Sequence, residues 1–234
     1  GPDVATRRAY IMAAVMLVAV LADRRAISLR SVALAAIVCL ALEPESLVEP
    51  GFQMSFAATA ALVVGFGHWT VLQARVPALL RPAVVMVLSS LIAGAATAPI
   101  AAAHFNRIAE YGLLANLAAV PVMGLVVMPA GVLAALLAPT GLAGIPLWVM
   151  HKGCALILGI GERVAALEGA VATVAAPPGD VLPLLGFGGA LVLAASRPAL
   201  RLAGLVAIVW AFGHWTATDR PDLLVSGDGT LAGL

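Results

Sequence analysis

Long apolar stretches alternate with short polar breaks along almost the whole chain, at 9–22, 27–42, 52–72, 83–103, 112–137, 142–164, 181–195 and 200–215. None of them alternates apolar and polar residues with the period of two that a membrane barrel strand shows. In a bilayer every backbone amide must be satisfied within its own segment or in a closed barrel, so the stretches predict helices. A crossing takes ~20 residues, with ~17–25 usual. The stretches at 52–72 and 83–103 fit that length, whereas those at 9–22 and 181–195 are short and predict boundaries that extend into their flanks. The stretch at 112–137 is long and carries Pro121 and Pro129, each of which removes a backbone donor. It predicts either one bent span or two half-helices of a re-entrant structure. The expected fold is all-α: a polytopic transmembrane helical bundle of about eight spans, one broken by proline and one amphipathic.

Composition agrees with a lipid solvent. Hydrophobic residues make up 62% of the chain, charged residues 11%, and the mean hydropathy is +1.07. A soluble domain carries roughly 25% charged residues. The formal charge of +1 leaves no basic excess of the kind a soluble nucleic-acid-binding domain shows, so any such contact must come from local charge. Cys39 and Cys154 lie far apart in apolar stretches with no Cys-x-x-Cys or Cys/His cluster, so neither a disulfide nor a metal site is expected. The chain opens on Gly1 rather than Met, and the expectation is a piece of a longer protein.

The polar breaks carry a charge signal. With eight crossings, Arg24, Arg25 and Arg30, then Arg75 and Arg81, then Arg197 and Arg201 share one side. Glu43, Glu45 and Glu49, then His104, Arg107 and Glu110, then Glu168 and Asp180 share the other, with Arg7 and Arg8 a partial exception. The positive-inside rule places the arginine side in the cytoplasm and both termini outside it. From Thr216 onward the pattern changes: Asp222–Ser226, Gly227-Asp228-Gly229 and Thr230-Leu231 predict strand, tight turn and strand. The expected organisation is a membrane domain over 1–215 and an extracytoplasmic tail over 216–234, the start of a further soluble domain.

Candidate chemistry is confined to a few positions. There is no Gly-x-x-x-x-Gly-Lys-Ser/Thr phosphate loop, no His-Glu-x-x-His and no Gly-x-Ser-x-Gly, so no enzyme activity, cofactor or metal is expected. His68-Trp69 and His214-Trp215 sit at span ends, where such rings anchor at headgroup level. Gln53, Ser55 and Asn116 lie within spans, where each polar group needs a protein partner or a watery cavity. They either join helices by hydrogen bonds or line a path. The run Ala93-Gly94-Ala95-Ala96-Thr97-Ala98 predicts close helix packing, and Pro99 a bend beyond it. His151-Lys152 precedes Glu162-Arg163 by eleven residues, close to three helical turns, which puts the two pairs on one stripe with Gly159 between them. The segment is either an interfacial amphipathic helix or a span whose cations Lys152 and Arg163 face an aqueous route.

Several short motifs occur together in order. Arg8-Ala9 with Met12-Ala13, Asp23-Arg24-Arg25, Leu42-Glu43-Pro44, Gly51-Phe52-Gln53-Met54-Ser55-Phe56, then Pro99, His104-Phe105, Leu114-Ala115-Asn116-Leu117 and Pro121 resemble the competence domain of ComEC-type proteins over about residues 7–165. The last two spans and the tail are consistent in layout. The resemblance implies an inner-membrane channel that admits one DNA strand during natural transformation. Fuller members carry an OB-like domain and a metallo-β-lactamase-like domain, neither of which is in this sequence. The latter's His-x-His-x-Asp-His pattern is absent, so no nuclease activity is assigned.

On that reading Arg8 is a candidate phosphate contact at the outer mouth, and Gln53, Ser55 and Asn116 line or brace the route. Lys152 and Arg163 are intermediate contacts, and Pro99, Pro121 and Pro129 are helix-break or gating candidates. The implied partners are single-stranded DNA, the lipid bilayer, a DNA receptor and a cytoplasmic DNA-translocating ATPase, with a homo-oligomer left open. Two other readings stand beside it. A small-solute transporter would show internal repeats and paired broken helices, and only 112–137 is broken. A membrane anchor for missing soluble domains would need no polar residues within its spans.

Overall fold

The computed structural model describes residues 4–21, 27–68, 76–218, 224–225 and 232–233. The breaks with Arg24, Arg25, Trp69 and Arg75, and the turn at Gly227-Asp228-Gly229, lie outside the described residues. A helix occupies each predicted stretch: α1 Val4–Leu21, α2 Leu29–Leu42, α3 Pro50–Gly65, α4 Arg81–Phe105, α5 Gly112–Val122 continued by α6 Met128–Leu137, α7 Gly144–Ala165, α8 Val181–Ala194 and α9 Pro198–Thr216. The all-α bundle expected from the sequence is the fold.

Local chemistry explains the starts. Ser28 caps α2 through a reciprocal box with Ser31, each side chain bonded to the other's backbone N–H at 3.1–3.2 Å. Pro50 and Pro198 open α3 and α9, where a missing N–H costs no helical bond. Four helical runs among the described residues are long and apolar enough to cross a membrane: Ala78–Phe105, Gly112–Thr140, Gly144–Ala165 and Pro198–Thr216. The helices Leu29–Leu42, Pro50–Gly65 and Val181–Ala194 are apolar but shorter, below the ~20 residues of a full-thickness crossing.

The proline-rich segment is one continuous helical run, not two half-helices. α5 passes into a π-helical turn, Met123–Val127, and then into α6. The Met128 N–H donates to the Met123 carbonyl, five residues back. The widened turn lies just before Pro129 and eases that ring away from the Leu125 carbonyl, which it would otherwise meet one turn earlier. Pro99 likewise lies inside α4, which runs on to Phe105.

The chain forms two compact units: Gly1–Ala101 with Arg107–Thr173, and Ala102–Asn106 with the chain from Val174 onward. In the first, Val32, Ala35 and Cys39 of α2 and Phe52 and Phe56 of α3 form a core that Ile11, Met12 and Val15 of α1 cover. A small antiparallel ribbon, not expected from the sequence, pairs β1 (Arg107–Ala109) with β2 (Val171–Thr173). A second pairs β3 (Leu224–Val225), inside the strand predicted at Asp222–Ser226, with β4 (Ala232–Gly233), which lies just past the predicted Thr230-Leu231.

In the second unit α8 and α9 pack through facing glycines. A Cβ on Gly204 would lie 2.6 Å from the Gly188 carbonyl oxygen, and one on Gly188 would lie 2.8 Å from that of Gly204. Val181 and Ala211 are fully buried in this hairpin. Close backbone approach of this kind is how helices associate where lipid removes the hydrophobic drive.

Candidate functional site

The polar residues singled out in the sequence fall into two groups. The first sits at one end of the α1–α3 core. Arg7 pairs with Glu43 at the end of α2, and Arg8 lies 3.6 Å from Glu49 just before α3. The Arg8 side chain is only 12% exposed, and its guanidinium rests on Gly51, where a Cβ would approach Nη2 to 2.8 Å. Gln53 donates from Nε2 to the Leu47 carbonyl at 2.9 Å, tying α3 to the 3-10 turn Pro44–Val48. Thr59 donates to the Ser55 carbonyl at 2.8 Å. Phe52 and Phe56 pack in the core with tilted rings, centroids 4.5 Å apart. Each of these residues therefore has a local structural duty. Two arginines meet two glutamates in a largely neutral cluster, with a small cavity among Arg8, Cys39, Glu43 and Ser46.

This geometry makes a prediction. Gly51→Ala displaces the Arg8 guanidinium and is expected to destabilise the protein by no more than about 1 kcal/mol, the low end of overpacking, because the obstacle is the far end of a flexible side chain. The penalty should shrink when Arg8 is also alanine, since the two sites share one contact. Denaturant titration of the single and double variants in detergent measures it. Additive penalties would mean that the contact carries no energy.

The second group lies on the hairpin of α5–α6 with α7. Its register is antiparallel: the Tyr111 hydroxyl donates to the Glu168 carbonyl at 3.3 Å, Gly153 faces Val126 and Val127, and Gly131 faces Met150. That register sets Lys152 level with the end of the π turn and Arg163 level with Asn116. α7 packs through Pro146 and Gly153, both buried. Lys152 and Arg163 are exposed and lie about a quarter turn round the helix from that packing face. The gap between them is about 16 Å along the axis at 1.5 Å per residue. Neither makes an ion pair among the described residues. Lys152 Nζ lies 5.8 Å from the centroid of the Trp148 ring, one turn earlier. Gly159 leaves open space between the two cations, since a Cβ there would meet nothing within 4 Å.

The model of the competence protein family matches residues 1–201. The chain belongs to that family. No curated protein and no solved structure matches it. Family membership and the four long apolar helices make this competence protein a membrane protein with a role in competence, the acquisition of DNA.

Within this competence-family chain the structure separates residues that the sequence reading grouped together. Arg8, Gln53 and Ser55 belong to the α1–α3 cluster, whereas Asn116, Lys152 and Arg163 belong to the hairpin. Asn116 is exposed among Leu113 and Val120, and its amide has no hydrogen-bond partner among the described residues. Trp215 is no headgroup anchor: it is 9% exposed, and its Nε1 donates to the Ala175 carbonyl at 2.8 Å. His214, at the end of α9, lies 3.7 Å from Asp180. Sequence reasoning missed Glu49 as the partner of Arg8, because ion pairing between segments leaves no trace in spacing. It also missed Trp148, although the four-residue interval to Lys152 was legible.

Proposed function

We propose that this chain is the membrane part of a conduit that passes a single DNA strand across the cell inner membrane during natural transformation. The observation that carries the reading is the pair of exposed cations Lys152 and Arg163, with no ion pair among the described residues, on one stripe of an apolar helix long enough to span. A charge on an apolar helix is expensive unless something polar meets it. Two cations a few turns apart suit a polyanion that must be met repeatedly and never trapped. Asn116, level with Arg163 on the neighbouring helix, adds a neutral donor and acceptor. In this proposal the chain performs no chemistry on DNA. Both termini face away from the cytoplasm, and a cytoplasmic DNA-translocating ATPase supplies the work.

The test is uptake of labelled DNA into the cytoplasm of transformable cells with the gene deleted and then restored at full length. Loss on deletion and recovery on restoration is the expected result. Unchanged uptake after deletion rejects the conduit and turns attention to solute transport.

A further inference from the structure

On α7 itself the conduit reading leaves an exposed tryptophan unused. Trp148 lies on α7 one turn before Lys152 and is 61% exposed. Its ring carries the Lys152 ammonium 5.8 Å from its centroid, inside the ~6 Å reach of a cation–π contact. The stripe then continues through the bare backbone at Gly159 to Arg163. Flat ring, cation, gap and second cation follow one another along the same side of the helix.

From this order we infer that Trp148 is a stacking platform for an unpaired base, with Lys152 holding the phosphate beside it. The inference rests on the conduit reading and adds what that reading lacks, a means of telling a single strand from a duplex. Backbone contacts alone cannot do this well, because both ligands present phosphates. An aromatic face can. Bases in a single strand are free to turn and stack on it, and every base has such a face, so the platform accepts any sequence. In a duplex each base is already stacked and paired with its neighbours. Lys152 orients the ring and is the cation that a phosphate engages once a base covers the ring.

The experiment uses the full-length protein in nanodiscs of zwitterionic lipid. Binding is measured for three probes: an oligothymidine, an abasic oligonucleotide of the same length and charge, and a duplex. Trp148→Leu should weaken oligothymidine binding about tenfold and leave abasic binding unchanged, because only the stacking contact is lost. The preference for single strand over duplex should fall with it. Trp148→Phe should keep most of the affinity, which also shows that the position tolerates replacement. Lys152→Gln should weaken the oligothymidine and the abasic probe alike. If Trp148→Leu binds all three probes as the wild type does, Trp148 is a headgroup anchor and the platform is overturned while the conduit stands. Equal loss for the oligothymidine and the abasic probe also overturns it, since the ring would then act only through the fold. A wild-type protein that binds no probe overturns the conduit reading itself, and the platform with it.

Discussion

Replacing Lys152 and Arg163 together with glutamine is expected to lower cytoplasmic uptake of labelled DNA by at least about tenfold, with membrane insertion intact. A hydrogen bond to a charged group is worth ~1.5–3 kcal/mol, and each ~1.4 kcal/mol is a factor of ten. Glutamine keeps a donor of similar reach, so part of each contact survives, and tenfold is the conservative figure. Insertion should not suffer, because removing a charge from an apolar span lowers its cost in lipid. Each single substitution should fall between the wild type and the pair. Immunoblots of membrane fractions measure insertion beside uptake in the same cells. Normal uptake by a well-inserted double variant would remove the stripe from any account of transport. The Arg8 side chain, sequestered against Gly51 and Glu49, makes a useful contrast. Its replacement should act mainly on stability, through the α1–α3 cluster.

Gly204→Ala should destabilise the α8–α9 hairpin by about 2–3 kcal/mol, a large effect for one methyl group. The added Cβ would sit 2.6 Å from the Gly188 carbonyl oxygen and 2.9 Å from the Leu191 Cβ. One obstacle is backbone, which cannot swing aside as a flexible side-chain end can. The helices must separate, losing dispersion contacts along their whole length. Gly188→Ala should behave alike, meeting the Gly204 carbonyl oxygen at 2.8 Å. Gly186 and Gly213 lie in the same two helices with nothing within 4 Å of an added Cβ. Alanine there should be neutral or stabilise by ~0.5–1 kcal/mol, through helix propensity alone. Cross-linking of cysteine pairs placed across the hairpin, scored against denaturant, compares the four variants. Equal behaviour would mean that these two helices do not meet at Gly188 and Gly204.

Much of this architecture was legible before any coordinates. Apolar runs bounded by charge, proline or serine set where the helices lie, because lipid leaves the backbone no other way to satisfy its amides. Thus 112–137 and 142–164 were located to within a residue or two. The eleven-residue interval between Lys152 and Arg163 also placed them on one stripe, since that interval is a property of the α-helix itself. The ordered motifs from Arg8 to Pro121 pointed to the family that the match over residues 1–201 establishes.

Other features depended on which segments meet. Nothing local to Arg8 announces Glu49, and nothing local to Gly51 announces the guanidinium resting on it. The same holds for Trp215, whose place beside His214 suggested the headgroup layer until the Ala175 carbonyl claimed its N–H. The π turn between Pro121 and Pro129 is a subtler case. The prolines foretold a disturbance, but a widened turn and a broken helix both accommodate the missing donors, and packing against Gly153 accompanies the continuous form. Sequence by itself determined the helices, their apolar character and the spacing of their charges, because these follow from hydrogen bonding and periodicity within one segment. Only the tertiary structure decided which charges are neutralised by one another and which, like Lys152 and Arg163, are exposed with no ion pair among the described residues, because that depends on contacts between residues far apart in the chain.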